Sequence, residues 1–225
     1  MPPEPVPAVT TSVYFDLDGT LLEYTTPFSE LFARTLPTDA TEAMAETYSR
    51  HVLAGISELR TDPYRRAFEA VASEYGLAVD AESLASEYVE REAAATRLPQ
   101  TVRRLVESVG ARHRTGILTN GDGRMQRRKM AEHGLDELVD DVLVSNEVGS
   151  RKPDPAIFEE AKERLPADAF VYVGDTAEED IIPARDSGFE TVYVGESAHP
   201  DASVAASGTE ELAALLLPLI GESPR

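Results

Sequence analysis

The stretch "VYFDLDGTLLEY", residues 13–24, decides how the rest of the chain is read. Val13, Tyr14 and Phe15 form an apolar, strand-like run that ends on two acids one residue apart, Asp16 and Asp18, followed at once by Gly19 and Thr20. Carboxylates crowded at the mouth of a sheet repel each other unless a cation sits between them or one keeps its proton. Either arrangement makes chemistry possible there.

Working outward, the run at residues 12–17 is joined by four more short apolar, β-branched runs, at 115–120, 140–145, 169–175 and 190–195. Unbroken apolar runs of this length suit strands buried on both faces of a parallel sheet. Helical patterns lie between the last four, and Pro99 opens another with Val102, Leu105, Val106 and Val109 on one face. Such alternation predicts an α/β fold, a Rossmann-like parallel sheet wound with helices. Residues 23–98 break the pattern. They contain no convincing strand, but their apolar stripes, among them Tyr64, Phe68, Val71 and Tyr75, have helical spacing. The expected organisation is a core of residues 1–22 and 99–225 with a helical bundle, 23–98, inserted directly after the two acids. An insertion there overhangs the carboxyl ends of the strands, where open α/β sheets bind ligands.

Composition narrows the partners. The chain has 21 basic and 41 acidic residues, a net charge of −20, and Lys129, Lys152 and Lys162 are its only lysines. An ordinary acidic soluble protein fits this balance; so does adaptation to molar salt, where self-repulsion is screened within roughly 3 Å. Such a surface disfavours nucleic-acid polymers and anionic membranes. An anionic substrate must then find its positive charge locally. There is no cysteine, so disulfide and thiolate chemistry are excluded. "MPPEPVPAVT" at residues 1–10 has no basic start and no apolar stretch, and the longest apolar run, 212–220, is short of the ~20 residues a membrane span needs. A cytoplasmic location is the expectation.

Parallel strands gather their carboxyl ends on one edge. Chain order therefore places together Asp16 and Asp18 after the first strand, Thr119, Asn120 and Gly121 after the second, Lys152 in the loop after the third, and Asp175 and Asp180 after the fourth. "DLDGT", "LTNG", "RKPDP" and "GDTAEED", in this order, resemble the four motifs of the haloacid dehalogenase-like superfamily, in its aspartate-dependent phosphohydrolase branch. The likeness runs from residue 13 to about 195, and the insertion resembles that family's helical cap. The charge balance resembles a halophilic, haloarchaeal member.

The resemblance implies roles. Asp16 is the expected nucleophile, forming an aspartyl phosphate that water cleaves. Asp18 is the expected acid and base, protonating the leaving alkoxide and then deprotonating water. Thr119, Asn120 and Gly121 would bind phosphoryl oxygens through the hydroxyl and neighbouring amides, and Lys152 would stabilise Asp16 and the phosphoryl charge. Mg²⁺ is the implied cofactor, held by Asp16, the Asp18 carbonyl and Asp175, with Asp180 as a ligand or outer partner; hard oxygen donors suit it. The substrate would be a small phosphorylated metabolite.

Competing readings remain on the residues alone. A sugar phosphomutase uses the same two acids but shields the phosphoenzyme from water. A 2-haloacid dehalogenase needs no acid at the position of Asp18. Phosphonate cleavage in this family uses a lysine in the cap, and residues 23–98 have none. A non-catalytic phosphate-binding module would not need the acid pair. The Gly121-x-Gly123 pair has Gln126 where a dinucleotide loop needs a third glycine. The four histidines are scattered, with surface positions expected, and Arg34, Arg50, His51, Arg60, Arg65 and Arg66 are insertion residues able to meet substrate.

Overall fold

The structure, a computed structural model, describes residues 10–195, 197 and 199–221. Nine of the ten residues read above for a secretory signal lie outside that range.

The chain enters through β1 (Thr11–Phe15), passes a two-residue strand β2 (Glu23–Tyr24), and runs through α1 (Phe28–Thr35), α2 (Glu42–Ser57), α3 (Pro63–Tyr75) and α4 (Ala81–Ala94). It leaves this helical insertion by β3 (Thr96–Arg97), which pairs antiparallel with β2. Then follow α5 (Gln100–Gly110), β4 (Arg114–Thr119), α6 (Gly123–His133), β5 (Asp141–Val144), α7 (Ser145–Val148) and α8 (Pro155–Arg164). The last part holds β6 (Ala169–Gly174), a π-helical turn (Ala177–Ile181), α9 (Ile182–Asp186), β7 (Glu190–Val194), β8 (Val204–Ala206) and α10 (Thr209–Leu219).

Six strands form one sheet in the order β5-β4-β1-β6-β7-β8, every pair parallel. The predicted parallel α/β sheet is therefore present, with β8 added at its edge. Alternation along β1 sorts its side chains between two layers. Val13 and Phe15 pack with Val171, Val173 and the stripe Val102, Leu105, Val106 and Val109 of α5, joined by Leu212 and Leu216 of α10. Tyr14 faces the other way, into Leu118, Tyr172 and the Ile157 and Phe158 of α8.

The insertion has its own apolar centre. Phe32, Tyr48, Phe68, Val71 and Tyr88, one or more from each helix, pack together, and Met125 of α6 reaches into them. Arg124 and Arg128 tie α6 to α4 through Glu82 and Glu90, at 3.2 and 2.8 Å. The expectation that residues 23–98 lack strands needs correction, because β2 and β3 pair at the neck of the insertion, Glu23 opposite Arg97 and Tyr24 opposite Thr96. Two residues a side are too few to carry a period. No helix among the described residues is long and apolar enough to cross a membrane.

Candidate active site

The order in which strands are added reverses at β1, with β4 and β5 laid to one side and β6, β7 and β8 to the other. Such a switch point opens a crevice at the carboxyl ends of the strands. Asp16 is the first residue beyond β1, and its amide still donates to the Val173 carbonyl of β6 at 2.8 Å, which fixes it beside that strand's end. Asp175 directly follows β6, and Asp180 sits in the π-helical turn after it, accepting from the Thr176 amide at 3.0 Å. One carboxylate oxygen from each of Asp16, Asp175 and Asp180 lies within 4.8 Å of the other two.

Lys152 is the cation of this cluster. Its ammonium donates to Asp16 Oδ1 at 2.7 Å, Asp180 Oδ1 at 2.5 Å and the Tyr172 hydroxyl at 2.8 Å, which uses its three hydrogens. Burial alone would lower its pKa, but Asp16, Tyr172 and Asp180 outweigh that and hold it well above the usual lysine value. Asn120 clips the loop that carries it: the Lys152 amide donates to Asn120 Oδ1 at 2.9 Å and Asn120 Nδ2 donates back to the Lys152 carbonyl at 3.0 Å. Asn120 Nδ2 also reaches Glu179, so this side chain is spent inside the protein. The Gly121 amide is likewise engaged, donating to Ser145 Oγ at 2.9 Å.

Three carboxylates against one buried ammonium leave a deficit of positive charge. Burial pushes the Asp16 carboxyl up to about 8; Lys152 opposes this, while Asp180 and Asp18 add to it. Asp175 is raised by burial and by Asp180. Carboxylates in this state bind a cation readily, and the donor set is all hard oxygen, which fits Mg²⁺. The backbone has been cleared for such a cage: Gly19 takes φ +86°, and a Cβ on it would collide with the Asp175 carboxylate.

The structure brings Asp16, Asp175, Asp180 and Lys152 together but leads the Asp18 side chain elsewhere. Its carboxylate accepts from Lys129 Nζ at 3.1 and 3.3 Å, Gln126 Nε2 at 2.7 Å and the Tyr24 hydroxyl at 2.7 Å. Burial raises its pKa, but Lys129 and these hydrogen bonds outweigh burial and leave it below the usual carboxylate value. Lys129 itself is 2% exposed and also bridges to Glu92 of α4 at 2.8 Å. Thr119 Oγ1 accepts from the same Gln126 amide at 2.7 Å.

Lys129, Gln126, Tyr24 and Glu92 were not anticipated from the sequence. The available signals were the scarcity of lysine and the three-residue spacing that puts Gln126 and Lys129 on one face of α6. Of the insertion arginines, Arg34, Arg50, Arg60 and Arg65 are drawn into surface ion pairs, while Arg66 donates to the Thr61 carbonyl at 3.0 Å. Of the four histidines expected on the surface, His51 is exposed, whereas His113, His133 and His199 are half-buried, with His133 Nε2 2.8 Å from Thr96 Oγ1.

A family model described as haloacid dehalogenase-like hydrolase matches residues 11–188, which include every strand-end residue described above. The chain belongs to the haloacid dehalogenase-like hydrolase family. It is an enzyme, and a relative matched over most of both chains is a phosphatase: the glyceraldehyde 3-phosphate phosphatase of Methanothermobacter thermautotrophicus is 28% identical, covering 81% of this chain and 84% of that one. The fold is shared with the magnesium-bound HAD-hydrolase YfnB of Bacillus subtilis, at TM-score 0.70 and 22% identity over 92% of this chain and 99% of that one. It is also similar to a 2-haloacid dehalogenase from Pseudomonas syringae, at TM-score 0.69 and 25% identity over 93% and 99%.

Proposed function

We propose that this hydrolase cleaves phosphomonoesters of small metabolites, with Asp16 as nucleophile, and that the helical insertion serves as a cap over the site. The observation that carries the reading is the Asp16 carboxylate held at 2.7 Å by a buried lysine, beside a second acid two residues on. Asp16, Asp175, Asp180 and the Asp18 carbonyl would hold Mg²⁺, which when bound supplies positive charge to phosphoryl oxygens and keeps these carboxylates ionised.

An oxygen of Asp16 forms a bond to phosphorus as the bond from phosphorus to the ester oxygen breaks. Asp18 gives its proton to that oxygen, releasing the alcohol. Asp18 then takes a proton from a water whose oxygen attacks phosphorus, and the bond to Asp16 breaks, freeing inorganic phosphate. Lys152 holds Asp16 in line and offsets phosphoryl charge, and Thr119 offers its hydroxyl to a phosphoryl oxygen. Without substrate, Asp18 is a carboxylate bound to Lys129, so release from Lys129 and gain of a proton belong to the cycle. Asp18 also favours this reading over dehalogenation, because a leaving halide needs no proton.

The test is hydrolysis of 4-nitrophenyl phosphate at high KCl. Activity should require Mg²⁺, stop on chelation and be lost in Asp16→Asn. Activity that survives either change would overturn the reading.

A further inference from the structure

Above the strand ends, between α2, α4 and α6, lies a cavity of about 370 Å³ whose floor includes Asp18, Asn120 and Gly121. Its position makes it the seat of whatever is attached to the phosphoryl group, so its chemistry bears on the substrate class.

Two observations converge. The walls are apolar and aromatic, formed by Tyr24, Val52, Ile56, Tyr64 and Tyr88 with the two large apolar side chains that the described residues leave exposed, Phe28 at 49% and Leu53 at 67%. Exposed apolar surface gathered at one cavity marks a binding face. Next, the one basic side chain on the described lining, Lys129, is already committed. Its ammonium bonds to Asp18, to Glu92 and, at 2.6 Å, to the Tyr24 hydroxyl. Even with Asp18 protonated for proton transfer, Glu92 still matches the charge of Lys129 at 2.8 Å, so the floor has no spare positive charge for an anionic leaving group.

We infer that the preferred leaving group is an uncharged alcohol carrying a flat ring, with the ring against the aromatic walls. This rests on the phosphatase reading. Carboxylated alcohols are disfavoured because no free cation meets them, and three-carbon alcohols because they leave the walls uncovered.

Steady-state kcat/KM on four phosphates with Mg²⁺ tests it: benzyl phosphate and thymidine 5′-monophosphate against phosphoserine and glyceraldehyde 3-phosphate. The expected result is at least a tenfold advantage for both ring-bearing esters, and an advantage of phosphoserine over benzyl phosphate in no condition. Equal or better turnover of phosphoserine or of glyceraldehyde 3-phosphate would overturn the inference while leaving the phosphatase reading intact. Hydrolysis of none of the four would sink both. Val52→Arg supplies an independent measurement: a free guanidinium in the cavity should raise phosphoserine turnover relative to benzyl phosphate at least fivefold, and an unchanged ratio would contradict the proposed charge argument.

Discussion

Lys129 and Lys152 are each 2% exposed, and each holds one aspartate of the same turn, Lys129 taking Asp18 and Lys152 taking Asp16. A buried ammonium between carboxylates is costly to remove, because the carboxylates left behind have neither water nor a partner. Lys129→Met should therefore destabilise the fold by ~3–5 kcal/mol in urea unfolding. Adding Glu92→Gln should recover part of that loss; strictly additive effects would show that the two side chains are not coupled. At Asp18 the expectation concerns chemistry. Asp18→Asn should slow hydrolysis of alkyl phosphates far more than of aryl phosphates, whose leaving groups need little protonation. Equal losses on both would remove Asp18 from the acid role.

Among elements, the turn after β1 depends most on one residue. Gly19 combines a left-handed φ with close approach to Asp175. Gly19→Ala should therefore weaken Mg²⁺ binding by about tenfold or more in calorimetric titration, since a ligand carboxylate must shift to admit the methyl group. Unchanged affinity would mean that Asp175 does not ligate the ion. Most elements were legible because burial writes their pattern, a one-face stripe in a helix and an unbroken apolar run in a strand covered on both faces. The α5 stripe and the apolar runs of β1, β4 and β6 needed no tertiary information. The strand β8 was missed because "VAA" is three residues long and two are alanine, too brief to distinguish from a loop. The pair β2 and β3 was missed because strands that short exist only through a partner 70 or so residues away. In the site, strand ends and chain order were enough to gather Asp16, Asp175, Asp180 and Lys152. The contact between Lys129 and Asp18 depends on how α6 docks beside the insertion, which spacing along the chain does not encode. The side chain of Asn120, whose neighbouring amides were the expected phosphoryl donors, forms the clip on Lys152, a contact spacing did not reveal.

For the whole molecule, charge is the governing quantity. We propose that the net charge of −20 reflects adaptation to molar salt. Raising KCl from about 0.1 to 2 M shortens the screening length from roughly 10 Å to below 3 Å. The relief of self-repulsion should raise Tm by roughly 4–8 °C, the equivalent of about 2 kcal/mol in a chain of this size. A flat or falling Tm would contradict the proposal. The acid cluster gives a second linkage. Without metal, the folded Asp16 keeps its proton up to about 8, well above the unfolded value. The folded state then binds more protons than the unfolded one, so the contribution of Asp16 to stability is full below the ordinary carboxylate pKa and is lost as pH rises through about 8. Mg²⁺ must displace that proton. Its stabilising effect should therefore grow between roughly pH 6 and pH 8.5, and a pH-independent shift in Tm would place the ion elsewhere. The central claim, that Asp16 itself attacks phosphorus, is tested most directly by quenching the Mg²⁺-loaded enzyme in acid during turnover and mapping the phosphoryl group by mass spectrometry. The account predicts one phosphoryl group on the peptide containing Asp16, absent from Asp16→Asn; turnover with phosphate on another residue, or on none, would contradict it.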